Sequence, residues 1–270
     1  MKTILLHIHD DEATEARFQV ALDLARAHGG HLECLQVVPL AAIEAIDMYG
    51  NLFVMPEMID ELEQGRAKLR SDTESRLANE DVSWSYTRTD GDPAATIVKQ
   101  SRLADIIVLS RALRAYDFDQ PLPLAGDVAL HGAVPVLAVP PGSTAFAADG
   151  PAFVTWNGSA EAASALRAAL PMLRLASVIH LVSIGEAAAP AFAANDACRF
   201  LSRHGLEAEV RAFPRGQHEI GAAILDALRA TGGAYVVMGA YGHSRVREYL
   251  LGGATRHLLA HCPVPLLLAH

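Results

Sequence analysis

A chain of 270 residues that is 51% hydrophobic is long and apolar enough for one large core or two ordinary ones, which excludes general disorder. Its 22 basic residues against 31 acidic give a formal charge of −9 with no Lys/Arg run, so a nucleic-acid or anionic-membrane surface is not expected, while a small anion held by backbone N–H groups still fits. Cys34, Cys198 and Cys262 stand far apart with no C-x-x-C pair, and neither a signal peptide at "MKTILLHIHDDE" nor a long apolar span is legible, so a soluble chain in a reducing cytoplasm is expected.

In chain order, short Val/Ile/Leu-rich runs alternate with helix-length segments: "TILLHI" (3–8), "LECLQVV" (32–38), "VSWSYT" (82–87), "DIIVLS" (105–110) and "PVLAV" (135–139). Such alternation predicts βαβ units and a parallel sheet covered on both faces. In the first intervening helix Phe18, Ala21, Leu22 and Ala25 share a face, and Gly29-Gly30 supplies a stop.

A second set repeats the order: "AFVTW" (152–156), "SVIHLVSI" (177–184), "EAEVRA" (207–212), "AYVVMG" (234–239) and "PLLLA" (265–269). The chain reads as an internal duplication, with Ile4 set against Phe153 at the start and Ile97 against Ile224 later, so the first copy carries extra residues within "LAAIEAIDMYGNLFVMPEMIDELEQGRAKL". The Met-rich part of that insertion, "MYGNLFVMPEMI", is a lid or core by default, with a ligand or partner surface as the alternative. The expectation is two tandem doubly wound, Rossmann-like domains, 1–144 and 150–270, each a five-stranded parallel sheet with helices on both faces, joined at "PPGSTAFAADGP".

The chemistry gathers after the fourth strand of the second copy. Met238 and Gly239 end that strand, Gly242 follows, and Gly252-Gly253 opens the helix "ATRHLLAHC". Glycines at a strand end let backbone approach a ligand, and a helix start aims free N–H groups at the same place, which together make an anion pocket at the C-terminal edge of a parallel sheet. No nucleophile elbow, Walker loop or Rossmann glycine motif is present, and no general base stands beside the glycines, so catalysis is not expected. Among the twelve histidines the metal candidates are His7 and His9, at period two on a strand, with Asp10 beyond, although the expectation is that no metal is bound. Ser159, inside a formal glycosylation sequon, is expected to cap the helix that follows.

Gly239-x2-Gly242-x9-Gly252, set between "VVMG" and "CPVPLLLA", resembles the universal stress protein family, whose nucleotide-binding members carry this spacing followed by Ser or Thr. The resemblance covers nearly the whole chain in two copies and implies a tandem member. It also implies ATP or another adenine nucleotide, with Mg, in the second copy. There Gly239, Gly242, Gly252, Gly253, Ala254 and Thr255 would stand around the phosphates, Thr155 and Asn157 near ribose and base, and Ser183 near adenine. Gly253 replaces the family's hydroxyl residue, so weakened binding is expected. In the first copy Ser110, Leu113, Pro123-Leu124 and His9 replace the key positions, which implies a structural partner that binds no nucleotide. The resemblance further implies that "VPVLAV" and "VPLLLA" form a seam, making the monomer a pseudo-dimer, with a homodimer and a protein partner also open. The leading reading is a non-catalytic stress-response protein with at most weak ATP hydrolysis; the alternatives are a slow ATPase or adenine-nucleotide-dependent enzyme, and a nucleotide-independent module that binds a metal, hydrophobic ligand or protein through the first-copy insertion.

Overall fold

The computed structural model describes residues 1–39, 45–46, 52–53, 56–111, 123–185, 193–241 and 253–270. Gly242, Gly252, Leu113 and half of the Met-rich stretch 48–59 lie outside them.

The first half contains β1 (Thr3–Ile8), α1 (Thr14–His28), β2 (His31–Val38), a two-stranded antiparallel pair of β3 (Ala45–Ile46) and β4 (Leu52–Phe53), α2 (Pro56–Leu77), β5 (Ser83–Asp90), α3 (Pro93–Gln100), β6 (Ile106–Ser110), α4 (Leu124–His131) and β7 (Val136–Val139). The second contains β8 (Ala152–Thr155), α5 (Ala160–Leu173), β9 (Ile179–Ile184), α6 (Ala194–Arg203), β10 (Glu209–Phe213), α7 (Ile220–Thr231), β11 (Tyr235–Gly239), α8 (Gly253–His261) and β12 (Leu266–Ala269). All ten strands expected from the sequence form, and the insertion supplies α2 and the β3–β4 pair.

Local chemistry sets the element ends. Gly29 closes α1 in a left-handed conformation, φ 54°, with its N–H reaching back to the carbonyls of Ala25 and Arg26. Asp92 caps α3 by accepting the Ala95 N–H, with Pro93 at the first helical position. Ser159 caps α5, its Oγ accepting the Ala162 N–H at 3.1 Å. Phe18, Ala21, Leu22 and Ala25 are all buried, as the helical period predicts.

The expectation of two separate five-stranded sheets is corrected. The main strands form one ten-stranded sheet in the order β10-β9-β8-β11-β12-β7-β6-β1-β2-β5. Each half is parallel within itself, and the join is the antiparallel pair β12–β7, with Leu267 opposite Leu137. The two carboxy-terminal strands are apolar on both faces and buried, so each leaves an edge that only the other covers. The segment 140–151 is pinned as well: the Phe146 N–H donates to Asp23 of α1 at 2.8 Å, and its buried ring lies 5.6 Å from Tyr235. Among the described residues no helix is long and apolar enough to cross a membrane.

Ladder register corrects the sequence alignment of the halves by one residue. Setting Ser110 on Gly239 places Ile4 on Ala152, because Ile4 pairs Ile106 as Ala152 pairs Tyr235. A one-residue slip would exchange the faces of every strand-one side chain, and the sheet removes that ambiguity. His7, His9 and Gln36 thereby correspond to Thr155, Asn157 and Ser183.

Candidate functional site

A cavity of about 240 Å³ opens at the C-terminal ends of β8, β9 and β11. Thr155, Asn157, Ser183, Met238, Gly239, Ala254 and Thr255 all line it, drawn from four separate stretches of the sequence. This is the crevice where the strand order reverses direction around β8, the place at which open α/β sheets hold ligands. Val182, Ile184, Ile220 and Ile224 complete an apolar wall. The sequence reading does not single out Ile220 and Ile224 as site residues, although their i,i+4 spacing on α7 is a legible signal of one shared face.

The polar groups are already partly committed. The Thr155 hydroxyl donates to the Val237 carbonyl at 3.3 Å, and the Ser183 hydroxyl to the Trp156 carbonyl at 3.1 Å. Asn157 Oδ1 accepts the Ser159 N–H at 3.1 Å, so its amide is turned into the cap of α5. Thr255, the expected substitute for the missing hydroxyl, is 2% exposed and accepts the Tyr241 N–H at 3.4 Å. That contact holds Tyr241 in the left-handed region, φ 57°, a strained setting for a residue other than glycine.

The two described glycines of the motif do different work. A Cβ on Gly239 would lie 2.5 Å from the Ala162 nitrogen and from the Glu161 carbonyl carbon, so bare backbone here lets β11 pack against the first turn of α5. A Cβ on Gly253, at the start of α8, would meet nothing within 4 Å among the described residues, and the backbone there has no left-handed φ. Gly242 and Gly252 lie outside the described residues.

No Asp, Glu, His, Lys or Arg lines the cavity among the described residues. An anion there meets the N-terminal ends of α5 and α8, which present helix-start N–H groups and the positive end of each helix dipole. The arrangement suits binding of a ligand with an apolar ring and an anionic tail; none of these side chains is a general base.

In the equivalent region of the first half, larger side chains stand at the strand-end positions among the described residues. His7 is buried and its pKa is pushed down to about 3 by burial, by the neighbouring Arg17 cation and by His9. Gln36 is buried and accepts the Tyr86 hydroxyl proton at 2.9 Å. Arg17, 2% exposed, replaces the small Ala165 of the second half; its guanidinium binds both oxygens of Asp11, the His9 carbonyl and the Ser110 hydroxyl. Ser110 has a side chain where Gly239 has none, and its hydroxyl accepts from Arg17. For the metal candidates, His7 stacks on His9 at 5.9 Å beside the Arg17 cation, which repels a second cation, and Asp11 rather than Asp10 carries the ion pair. No group of three His, Cys, Asp or Glu among the described residues is arranged to hold a metal.

Across the seam, Arg111 of the first half donates to the Leu259 carbonyl of α8 at 3.1 Å. The Tyr241 hydroxyl in turn sits against Gly126 of α4, where a Cβ would collide with it.

Solved structures share this architecture. A universal stress protein from Archaeoglobus fulgidus DSM 4304 has a TM-score of 0.76 at 18% identity, with 99% of this chain and 97% of that one covered. A protein described as functionally unknown from Pseudomonas aeruginosa PAO1 has a TM-score of 0.61 at 16% identity, covering 99% and 92%. At these identities the likeness shows the fold. No curated protein matches the chain. The sequence pattern of the Universal stress protein family matches residues 1–117 and again 153–270. The chain therefore belongs to the universal stress protein family, with one family unit in each half of its sheet.

Proposed function

We propose that the second half binds an adenine nucleotide, ATP with its accompanying Mg or a close relative, and that the protein is a non-catalytic stress-response sensor whose partners respond to occupancy. The observation that carries this reading is the convergence of Thr155, Asn157, Ser183, Met238, Gly239, Ala254 and Thr255 on one cavity at the sheet's C-terminal edge. Its enclosed volume, about 240 Å³, falls just below the range of about 300–1,000 Å³ typical of small-molecule pockets, which suits a nucleoside moiety with phosphates running outward to α8. The absence of an acid or base from the described lining favours binding over turnover, and the first half, with His7, Gln36 and Ser110 at the matching positions, acts as its structural partner.

The test is calorimetric titration of Mg-ATP and of adenosine into ligand-stripped protein, with Ala254→Glu as the variant. Glutamate in the first turn of a helix suits the dipole, so α8 and the fold are retained, while its charge faces incoming phosphate. The reading expects one Mg-ATP site per chain, weakened at least about ten-fold by Ala254→Glu, with adenosine binding little changed. Equal loss of both ligands, or no binding of either to the unaltered protein, overturns it.

A further inference from the structure

A second cavity, about 330 Å³, lies between α5 and α6 on the other face of the sheet. Strand alternation explains why it is separate from the first: Phe153 and Thr155 point toward the α7–α8 side, whereas Val154 and Trp156 belong to the α5–α6 side. Trp156, 6% exposed, lines both cavities and so forms part of the wall between them. The floor of the second is apolar, made by Trp156, Leu166, Ala197 and the ring of Phe200. Its rim carries the exposed side chains of Arg167, Arg199 and Arg203.

Three arginines around one apolar floor are unusual in a chain of net charge −9. Elsewhere Arg17, Arg26, Arg66, Arg70, Arg76 and Arg88 each hold a carboxylate. Here Asp196 pairs with Arg199 at 3.3 Å, but its other oxygen is already used by the Ala193 N–H at the start of α6. Asp196 lines the same cleft, but Arg167 and Arg203 form no ion pair among the described residues. A cleft with an aromatic and aliphatic floor and two uncommitted guanidinium groups at its lip is complementary to a molecule with an apolar body and one anionic head.

We propose that the α5–α6 cleft is a second ligand site that takes a small amphipathic carboxylate, its acyl chain or ring on Trp156, Leu166 and Phe200 and its carboxylate between Arg167 and Arg203. The proposal is independent of the nucleotide reading, since it uses the opposite face of β8 and none of the glycine motif.

The chain has two tryptophans, so Trp84→Phe leaves Trp156 as the reporter at the cleft. In this background, with no nucleotide present, sodium octanoate and 1-octanol are titrated while tryptophan emission is followed, and equilibrium dialysis of labelled octanoate provides a second readout. The expected result is saturable octanoate binding, tighter than octanol, weakened roughly five-fold by Arg167→Gln and again by Arg203→Gln, with octanol unaffected and octanoate affinity falling as salt is raised. Both arginines are exposed, so neither variant threatens the fold. The Ala254→Glu protein, impaired at the other cavity, is expected to bind octanoate normally, which separates failure of this site from failure of the nucleotide site. Octanol binding as tightly as octanoate, indifference to both arginine variants, or no retention of octanoate in dialysis each overturns the proposal.

Discussion

Gly253→Ser is the perturbation that tests the departure of this chain from the family's motif. Among the described residues nothing lies within 4 Å of the added Cβ, and the backbone there is not left-handed, so no backbone strain opposes it. Serine at the first position of α8 is also a slightly better helical residue than glycine, by a few tenths of a kcal/mol, so stability is expected to hold or rise. In the proposed reading a hydroxyl there, one residue before the cavity-lining Ala254, would reach phosphates running outward to α8. A hydrogen bond to a charged group contributes about 1.5–3 kcal/mol, less roughly 0.5 kcal/mol for fixing the new rotamer. The net expectation is Mg-ATP binding about ten-fold tighter, with adenosine, which has no phosphate, unchanged. Calorimetric titration of both ligands into both proteins reads this directly. Unchanged Mg-ATP affinity in a folded Gly253→Ser protein, or an equal gain for adenosine, refutes the placement of phosphate at the start of α8.

Gly239→Ala is expected to behave oppositely: its Cβ meets backbone atoms of Glu161 and Ala162 at 2.5 Å, so α5 must shift and its Ser159 cap loosens, at a cost of about 2–3 kcal/mol read by urea unfolding. A loss below about 0.5 kcal/mol contradicts that packing argument. Gly126→Ala, although in the first half, drives a Cβ into the Tyr241 hydroxyl and displaces a residue held in a left-handed conformation at the rim of the second-half cavity. Mg-ATP affinity is expected to fall several-fold, about 1 kcal/mol, and an unaltered affinity shows that the seam and the cavity are uncoupled. His7 titrates near 3 when folded against 6.5 when unfolded, so the unfolded chain binds the proton first as pH falls; its contribution to stability is intact above 6.5 and declines below it until both states are protonated below about 3. About 2 kcal/mol is lost by pH 5 from this group alone, and His7→Gln is expected to flatten the pH dependence of urea unfolding between pH 6.5 and 4. An unchanged slope in that variant assigns the acid sensitivity to other groups.

Most of the fold is legible in the sequence because its signals are local and periodic. Ten apolar runs correspond to ten strands, Gly29 ends α1, and Ser159 caps α5. What composition does not supply is long-range register. Sequence similarity sets Ile4 on Phe153, and only the pairing of β1 with β6 and of β8 with β11 shows Ala152 to be its counterpart. Two wholly apolar last strands imply a join, and the resemblance to a tandem family member, not the strands themselves, places it within the chain, where β7 and β12 do pair. At the cavity, the strand-end residues follow from their place in the motif. The apolar wall from α7 does not, because Ile220 and Ile224 have the pattern of ordinary core. Gly239 suggests space for a ligand, whereas its nearest constraint is the backbone of α5.

The divergence of the two halves follows from that last contact. With glycine at the end of β11, strand and helix touch directly, Ala165 fills the layer behind, and the crevice in front stays open. With Ser110 at the matching position, the strand end carries a hydroxyl that accepts from the buried Arg17 guanidinium, and that charge is matched by Asp11 beside a His7 whose protonation burial and Arg17 oppose. A buried guanidinium is stabilised only while those partners remain, so the first half cannot regain a crevice through Ser110→Gly alone; Arg17 would have to become small in the same step. The double change Ser110→Gly with Arg17→Ala is thus the minimal conversion. It should be markedly less destabilising than the sum of the two single changes, because the cost of each single change is a partner left unmatched. Additive losses in a urea-unfolding cycle of the four proteins would mean that Arg17 serves the fold independently of the strand end it touches.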